Sequence, residues 1–333
     1  MSSIYIIAEA AQGYLPLTGD TGSADIALLL VKAAAAAGAD AVKFQVVYVD
    51  ELAQPGNVHY DIFRRLEMPE PDWRRVRTYA REAGIDFLAD VFGARSLEVA
   101  RGIGVDGIKL HSTSFFDHDL VREVLALGCP AYFSLGGIEM RELESFIERH
   151  RLRSRKDVVL LYGFQAEPTP LERNNLARVP VLSARTALPI GFMDHTDGAG
   201  PDTIAVSILA LSLGVRVFEK HVTLDRELEI EDYVSALEPA RLRDYVQTLR
   251  RLETALGSAD LDLTDAERTY RDKAVKRTVA GRSLAAGTRL AAADISLIRP
   301  TVARGAVDPD QLVGRTLRVA VAHGEPIAPE DVE

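Results

Sequence analysis

Eight short apolar segments alternate with eight longer segments of helical period along the first three quarters of the chain. Short apolar runs separated by stretches whose apolar residues recur every three or four positions are typical of strands joined by crossover helices. The predicted strands are 4–8, 41–45, 87–90, 107–110, 131–134, 158–162, 190–193 and 215–220. The predicted helices are 26–37, 73–83, 96–102, 120–127, 140–150, 171–186, 203–213 and 240–256.

Eight strand–helix pairs over about 255 residues match the usual size of a (β/α)8 TIM barrel, so this α/β fold is the prediction. The competing fold is a doubly wound open sheet, which more often carries a glycine-rich first turn. No G-x-G-x-x-G segment follows the first predicted strand. The sequence therefore favours the barrel over the open sheet.

The pattern changes after the eighth pair. Residues 1–260 are predicted to form the barrel, 261–276 a polar linker with some helix, and 277–333 a separate module of short strand-like pieces broken by glycine. A module of about 57 residues is marginal for an independent core. We therefore expect it to pack on something larger, either its own barrel or a partner chain.

Composition excludes several classes of function. The chain has 39 Lys and Arg against 49 Asp and Glu, a net charge of −10 with the signs interspersed, which disfavours nucleic-acid and anionic-membrane partners. The single Cys129 excludes an intramolecular disulfide framework. There is no signal-peptide pattern, and the alanine-rich run 31–37 is too short to span a bilayer. We therefore expect a cytoplasmic protein.

Two histidines stand at the ends of neighbouring predicted strands. His195 follows the seventh strand and His221 the eighth. The carboxyl ends of barrel strands form one mouth, where such folds carry out chemistry. Two neutral imidazoles there could share one divalent cation, with open positions for water and substrate oxygens. The alternative is that both histidines are structural and cap the strand ends.

Two lysines, Lys43 and Lys109, end the second and fourth predicted strands. A buried ammonium without a negative partner is costly, so inward-facing lysines imply a bound anion. The alternative is an ion pair with a carboxylate of the protein, for which Glu9, Asp90 and Asp194 are candidates.

The segments IAE, KFQ, DHT and EKHVTLDR, in this order and followed by a compact C-terminal module, resemble the sialic acid synthase family. The resemblance covers nearly the whole chain. It implies a TIM barrel followed by a small, mostly β, antifreeze-like (SAF) domain. It also implies condensation of phosphoenolpyruvate with an N-acylated hexose, and a homodimer in which each SAF domain is swapped over the partner's active site.

The resemblance also implies roles for individual residues. A divalent metal, usually manganese, with magnesium or cobalt as alternatives, would be held by His195 and His221. Lys43 and Lys109 would hold phosphoenolpyruvate with Ser112 and Ser134. Glu9, Gln45, Asp232 and Arg299 would bind the sugar, and Glu9 and Asp232 would also have catalytic roles. Gln165 and Glu167, which lie after strand six, are further candidates for substrate binding. Arg299 would come from the SAF domain, and a surface arginine is the alternative for it.

Several positions depart from the pattern of this family. Asp90 stands where a phosphate-binding threonine is expected, and Glu167 lies in an altered segment after strand six. Met193 and Ser114 replace a serine and a glutamate of the family pattern. The added carboxylates would repel a dianionic phosphate unless they are paired or protonated.

Three functional hypotheses follow. The first is a divergent phosphoenolpyruvate-dependent synthase that condenses the donor with an aldose or N-acylhexosamine aldehyde to give a nonulosonic-type acid. The second is an aldolase or lyase of sugar acids that uses no phosphate. The third is a sugar-acid binding protein without catalysis, because a fold does not fix a function.

Overall fold

Eight parallel strands close into a barrel in a computed structural model that describes residues 3–16, 23–299 and 301–333. The strands follow the chain in order: β1 (Tyr5–Ala11), β2 (Ala41–Gln45), β3 (Asp86–Val91), β4 (Gly107–Leu110), β5 (Ala131–Ser134), β6 (Val158–Tyr162), β7 (Ile190–Asp194) and β8 (Val217–His221). Pairing of β8 with β1 completes the ring. The predicted TIM barrel is confirmed.

Helices connect the strands: α1 (Ser23–Ala37), α2 (Val49–Leu52), α3 (Tyr60–Leu66), α4 (Glu70–Glu82), α5 (Ala94–Ile103), α6 (His118–Ala126), α7 (Met140–Arg149), α8 (Arg178–Thr186), α9 (Thr203–Ser212), α10 (Pro239–Glu253) and α11 (Asp265–Ala274). The predicted helix 171–186 is wrong in its first half. A 3₁₀ turn, Leu171–Arg173, comes first, and Asn175 then adopts a φ of +46°, which interrupts the helical path. In the part of the chain that is described, no helix combines the length and apolar character needed to cross a membrane.

Side chains of the strands alternate between the helix layer and the barrel interior. Six inward residues form an apolar plug in the middle of the barrel: Ile7, Ala41, Leu88, Tyr132, Leu161 and Met193. Two positions further along, the inward residues of several strands become charged or polar, as in Glu9, Lys43 and Asp90. The apolar plug therefore forms the floor of a polar mouth at the carboxyl ends of the strands.

Residues 258–333 form a second compact unit, separate from the unit 1–257. It contains α11 and the antiparallel pair β9 (Arg277–Ala280) and β10 (Ile295–Ile298). Isolated bridges such as Leu284–Val321 and Leu317–Val332 join its remaining segments. The unit has a small core of its own, made by Ala280, Leu284, Leu290, Ala306, Leu312, Leu317, Val321, Ile327 and Val332.

Candidate active site

Five charged side chains meet directly above the apolar plug, and each is at most 2% exposed. Lys43 forms a close ion pair with Glu9, and its Nζ lies 3.2 Å from Asp90 Oδ2 and 3.6 Å from Glu219 Oε2. Lys109 Nζ lies 2.6 Å from Glu219 Oε1 and 3.8 Å from Asp90 Oδ2. We call these five residues the ionic cluster.

Carboxylates of the protein thus neutralise both inward lysines. Of the two alternatives considered for the lysines, the structure contains the internal ion pairs, with Glu9 and Asp90 as two of the three partners. Asp194 instead pairs with Lys220. With every group ionised, three carboxylates face two ammonium groups, so the ionic cluster carries one negative charge in excess.

Two carboxyl groups of the ionic cluster differ strongly in their pKa values. Burial raises the pKa of Glu9 to about 7, against the opposing effect of Lys43. Burial also acts to raise the pKa of Glu219, but Lys109 and Lys43 outweigh it and hold this pKa at about 2. Glu9 is therefore the member of the ionic cluster best suited to accept or release a proton near neutral pH.

The two histidines lie side by side at the ends of β7 and β8. The Nε2 atoms of His195 and His221 are 3.3 Å apart, and both residues are buried. Burial lowers the pKa of His195 to about 4 and places that of His221 well below its usual value, so both imidazoles are neutral at pH 7. Neutral imidazole is the form that binds metals.

Their spacing fits one shared divalent ion. Two nitrogens at about 2.1 Å from one ion lie about 3.0 Å apart at a right angle and about 3.4 Å apart at the tetrahedral angle. The described residues contain no group of three or more His, Cys, Asp or Glu side chains arranged to hold a metal. An ion held by this pair would therefore take its other ligands from water or substrate.

Outward-facing residues of the DHT and EKH motifs fix these strand ends. Lys220 Nζ donates to Asp194 Oδ1 at 3.2 Å and to the carbonyl oxygen of Thr196 at 2.8 Å. Asp194 Oδ2 also accepts from Ser207 Oγ at 3.0 Å, and Ser207 bonds to the Tyr245 hydroxyl. This buried network joins β7, β8, α9 and α10, and so positions the residues that follow Asp194 and Lys220, which are the two histidines.

An acidic pair lies beside His221. Asp232 Oδ2 is 3.6 Å from His221 Nδ1, and a hydrogen bond to Glu167 joins the two carboxyl groups. Burial and the Glu167 carboxyl raise the pKa of Asp232 well above its usual range. Asp232 also adopts a φ of +68°, which is uncommon for residues other than glycine but is adopted more often by Asp than by most of them. The loops after β6 and β8 thus bring two predicted site residues together.

Other predicted residues line the same mouth. Gln45 Oε1 accepts from Gln12 Nε2 at 3.0 Å, and Ser134 Oγ is 3.5 Å from Gln165 Oε1. Ser112 lies in the 3₁₀ turn after β4. In the described ranges no hydrogen bond or ion pair joins the Ser112 side chain to another predicted site residue.

Arg299 belongs to the second unit, where it follows β10 and is exposed. Its predicted role at the mouth of a partner barrel remains a prediction.

Sequence reasoning did not identify Glu219 or His111 as site residues. Both were detectable from strand alternation, because Glu219 precedes His221 by two positions and His111 follows Lys109 by two. Asp90 was named as a possible ion-pair partner of the lysines, but the register that brings its carboxylate to both of them is seen only in the structure.

Two family models match the chain. Residues 30–260 match the NeuB family, and residues 278–333 match the SAF domain. The chain is 28% identical to the N,N'-diacetyllegionaminic acid synthase of Legionella pneumophila over 347 residues, covering 99% of this chain and 94% of that protein. It is 30% identical to the spore coat polysaccharide biosynthesis protein SpsE of Bacillus subtilis over 267 residues, covering 76% and 68%.

A solved structure agrees with this relationship. The N-acetylneuraminic acid synthetase of Leptospira borgpetersenii, in complex with citrate, superposes with a TM-score of 0.73 at 25% identity, covering 82% of this chain and 93% of that one. The family match spans most of the barrel, and the SAF match spans residues 278–333 of the second unit. The chain therefore belongs to the NeuB family and is an enzyme of the sialic acid synthase type.

Proposed function

We propose that this enzyme condenses phosphoenolpyruvate with the aldehyde of an aldose or N-acylhexosamine, releasing phosphate and giving a nonulosonic-type 2-keto acid. The observation that carries this proposal is the pair of neutral, buried imidazoles 3.3 Å apart at the same mouth as Lys43 and Lys109. The names of the relatives support the product class, since they include synthases of legionaminic, pseudaminic and N-acetylneuraminic acids.

His195 and His221 would hold a divalent cation, with Mn²⁺ as the first choice and Mg²⁺ or Co²⁺ as alternatives. When bound, such an ion acts as a Lewis acid that polarises a carbonyl oxygen. The neutral state of both imidazoles and the single shared position between their Nε2 atoms support this assignment.

In the proposed reaction, C3 of phosphoenolpyruvate forms a bond to the aldehyde carbon. Water then adds at C2, and phosphate departs with its bridging oxygen. Lys43, Lys109 and the hydroxyls of Ser112 and Ser134 would orient the donor. Glu9, with a pKa of about 7, would exchange a proton at its carboxyl oxygen.

The acceptor would be bound by further polar side chains of the same mouth. A hydrogen bond joins the carboxyl groups of Asp232 and Glu167, so together they would donate hydrogen bonds to sugar hydroxyls and accept hydrogen bonds from them. The amides of Gln45 and Gln165 offer the same dual capacity without a net charge.

A second candidate function is an aldolase or lyase that uses no phosphate. The observation that favours it is Asp90, whose Oδ2 lies 3.2 Å from Lys43 Nζ and 3.8 Å from Lys109 Nζ and so already pairs with both lysines proposed to orient the donor. In its Schiff-base form, Lys43 or Lys109 would first release a proton to a carboxylate of the ionic cluster, and the neutral amine would then attack the carbonyl carbon of a 2-keto acid and expel water. Borohydride reduction in the presence of pyruvate would then add a fixed mass to a peptide containing one of these lysines.

The deciding experiment is a phosphate-release assay with phosphoenolpyruvate and a panel of aldoses and N-acylhexosamines. It is run with Mn²⁺, with a chelator, and with a His195→Ala/His221→Ala variant. Metal-dependent release with one acceptor, lost in the variant, supports the synthase. Release that survives both chelator and variant overturns the metal assignment. No release with any acceptor, together with a borohydride adduct, supports the lyase.

The resemblance further leads us to propose a cytoplasmic homodimer in which the SAF domain of one chain supplies Arg299 to the other chain. A mixture of Arg299→Ala and His195→Ala/His221→Ala chains tests this arrangement. Activity regained on mixing two inactive variants supports exchange between chains, and no regain contradicts it.

A further inference from the structure

Positive charge is concentrated at the opposite end of the barrel from the mouth. Residues 149–156, from the end of α7 to β6, include four arginines and one lysine. This stretch leads into the amino end of β6, whereas the mouth lies at the carboxyl ends of the strands. The whole chain has a net charge of −10, so the positive charge is a local property of this stretch.

A cleft of about 400 Å³ lies between α6, the end of α7 and the turn before β6. We call it the arginine cleft. Its lining includes Arg122, Leu125, Arg149, His150, Arg151 and Arg155. Its volume falls within the range of about 300–1,000 Å³ that is typical of small-molecule sites. Four arginines and one histidine therefore line a space that a small molecule can fill.

Two of these arginines are paired with carboxylates. Nε and Nη2 of Arg155 lie 3.0 Å and 2.6 Å from the two carboxylate oxygens of Asp157, and Nη2 also donates to the carbonyl oxygen of Leu125 at 2.9 Å. This half-buried pair fixes the Arg155 guanidinium at one wall of the arginine cleft. Arg122 forms a close ion pair with Asp119, which is exposed and therefore weak.

The other two arginines have no carboxylate partner. Arg149 and Arg151 form no ion pair with any residue that the structure describes. Arg185 of α8, by contrast, pairs with Glu144 of α7 at 2.6 Å. Four guanidinium groups against two carboxylates leave an excess of two positive charges in the arginine cleft.

A second pair of histidines adjoins the arginine cleft. His150 Nε2 lies 3.1 Å from His118 Nδ1, close to the 3.3 Å spacing of the pair at the mouth. Burial lowers the pKa of His150 to about 4, and His118, Arg149 and Arg122 add to this effect. The same arginines would repel a divalent cation, so this pair is not a second site for the proposed metal. The charges of the cleft instead favour an anion.

We infer that the arginine cleft binds a small soluble molecule with a phosphomonoester group, whose dianionic phosphate is held by Arg149 and Arg151. Two unpaired guanidinium groups balance a dianion, and the planar fork of each matches two phosphate oxygens. Leu125 and the neutral ring of His150 offer apolar surface to the organic part of the ligand. The charge is confined to one cleft of an acidic protein, which disfavours nucleic acids and anionic membranes.

The test is equilibrium binding of phenyl phosphate, measured by calorimetry without added metal at about pH 8, where a phosphomonoester is a dianion. Arg149→Gln/Arg151→Gln removes both unpaired charges. Arg243→Gln/Arg251→Gln is the matched control, because these two exposed arginines of α10 also have no ion pair among the described residues. We expect the dissociation constant to rise at least about tenfold in the first variant and less than about twofold in the control.

Phenyl sulfate is the matched probe with a single negative charge. We expect wild type to bind it about tenfold more weakly than phenyl phosphate, and equal affinities would overturn the phosphate assignment. Equal weakening in the two double variants would show only a general effect of net charge and would overturn the inference. Unchanged binding in Arg149→Gln/Arg151→Gln, or no binding to wild type at millimolar concentration, would do the same.

The ring resonances of His150 report directly on the arginine cleft. A phosphate bound nearby stabilises the protonated imidazole, so phenyl phosphate should raise the pKa of His150 in wild type but not in Arg149→Gln/Arg151→Gln. The resonance is assigned by its absence in His150→Gln. A pKa that does not respond to saturating phenyl phosphate would contradict binding in this cleft. These measurements need no turnover, so their outcome is independent of the reaction proposed for the mouth.

Vesicles separate a soluble ligand from a lipid headgroup of the same chemistry. Cosedimentation compares phosphatidylcholine vesicles with and without phosphatidic acid, whose headgroup is a phosphomonoester. We expect no binding to either kind of vesicle, because the net charge of −10 opposes an anionic surface. Binding to phosphatidic acid that is lost in Arg149→Gln/Arg151→Gln would overturn the soluble source and assign the cleft to the headgroup.

Discussion

At the scale of single residues, Asp90 is the most consequential side chain of the mouth. Its Oδ2 faces both lysines, while its Oδ1 is buried with no hydrogen-bond partner among the described residues. Within the same described part of the chain, Oε2 of Glu219 also has no hydrogen bond. Unsatisfied buried oxygens are costly, and the excess negative charge opposes a further anion. The ionic cluster therefore opposes a further anion unless one of its carboxyl groups is protonated, and Glu9, with a pKa of about 7, is the group best suited to take up that proton.

We predict that Asp90→Asn increases the affinity for phosphoenolpyruvate by about tenfold, because the substitution makes two carboxylates face two ammonium groups. Calorimetric titration with phosphoenolpyruvate and with pyruvate measures the effect, and pyruvate should gain less because it carries less charge. Asp86→Asn is the matched control, since Asp86 begins the same strand and accepts from the Tyr5 hydroxyl. Unchanged or weaker binding of phosphoenolpyruvate in Asp90→Asn would refute the prediction.

The raised pKa of Glu9 gives a prediction for stability against pH. Between its usual value and about 7, folded Glu9 keeps a proton that the unfolded chain releases. The stability contributed by this proton is present at low pH and is lost as the pH rises through about 7. We expect the difference in melting temperature between wild type and Glu9→Gln to shift against wild type from pH 5 to pH 8. A difference that does not change with pH would contradict this assignment.

At the scale of elements, strand alternation directs neighbouring side chains of the two histidine motifs to opposite faces of the barrel. His195 and His221 face the mouth, whereas Asp194 and Lys220 face the helices and bind each other. The sequence predicted the histidines correctly as strand-end residues. It could not show that their neighbours form one network, because this depends on Ser207 and Tyr245 from two separate helices.

We predict that Lys220→Met destabilises the protein by about 3–5 kcal/mol, since it leaves Asp194 buried without its cation. The double variant Lys220→Met/Asp194→Asn should recover part of this loss. Chemical denaturation of both variants and of Asp194→Asn completes a double-mutant cycle. Additive effects in this cycle would mean that the pair is not coupled.

Hydrophobic periodicity predicts the strands but not the bounds of every helix. All eight predicted strands are present, because their runs are apolar and bounded by turns. The predicted helix 171–186 was too long, since the left-handed turn at Asn175 leaves no trace in hydrophobic spacing. The ionic cluster was predicted only in part. A bound anion was the first expectation for the lysines, and an ion pair with a carboxylate such as Glu9 or Asp90 was the alternative. Three strands supply such carboxylates, and of these Glu219 was not anticipated.

At the scale of the whole molecule, the chain consists of two units with separate cores. The proposed metal ligands both belong to the barrel, at the ends of two neighbouring strands. A ligand that binds only the folded form of one unit stabilises that unit by mass action and leaves the other unchanged. Unfolding of the chain can therefore report metal binding without any assay of turnover.

We predict that Mn²⁺ at about 100 times its dissociation constant stabilises the barrel by about 2.7 kcal/mol. Calorimetry of the whole chain should show the barrel transition moving upward with Mn²⁺ while any separate transition of residues 258–333 stays in place. The shift should vanish in His195→Ala/His221→Ala and remain in the control His118→Phe, which removes a histidine outside the mouth. A shift retained in the double variant would place the ion elsewhere and refute the two-histidine assignment.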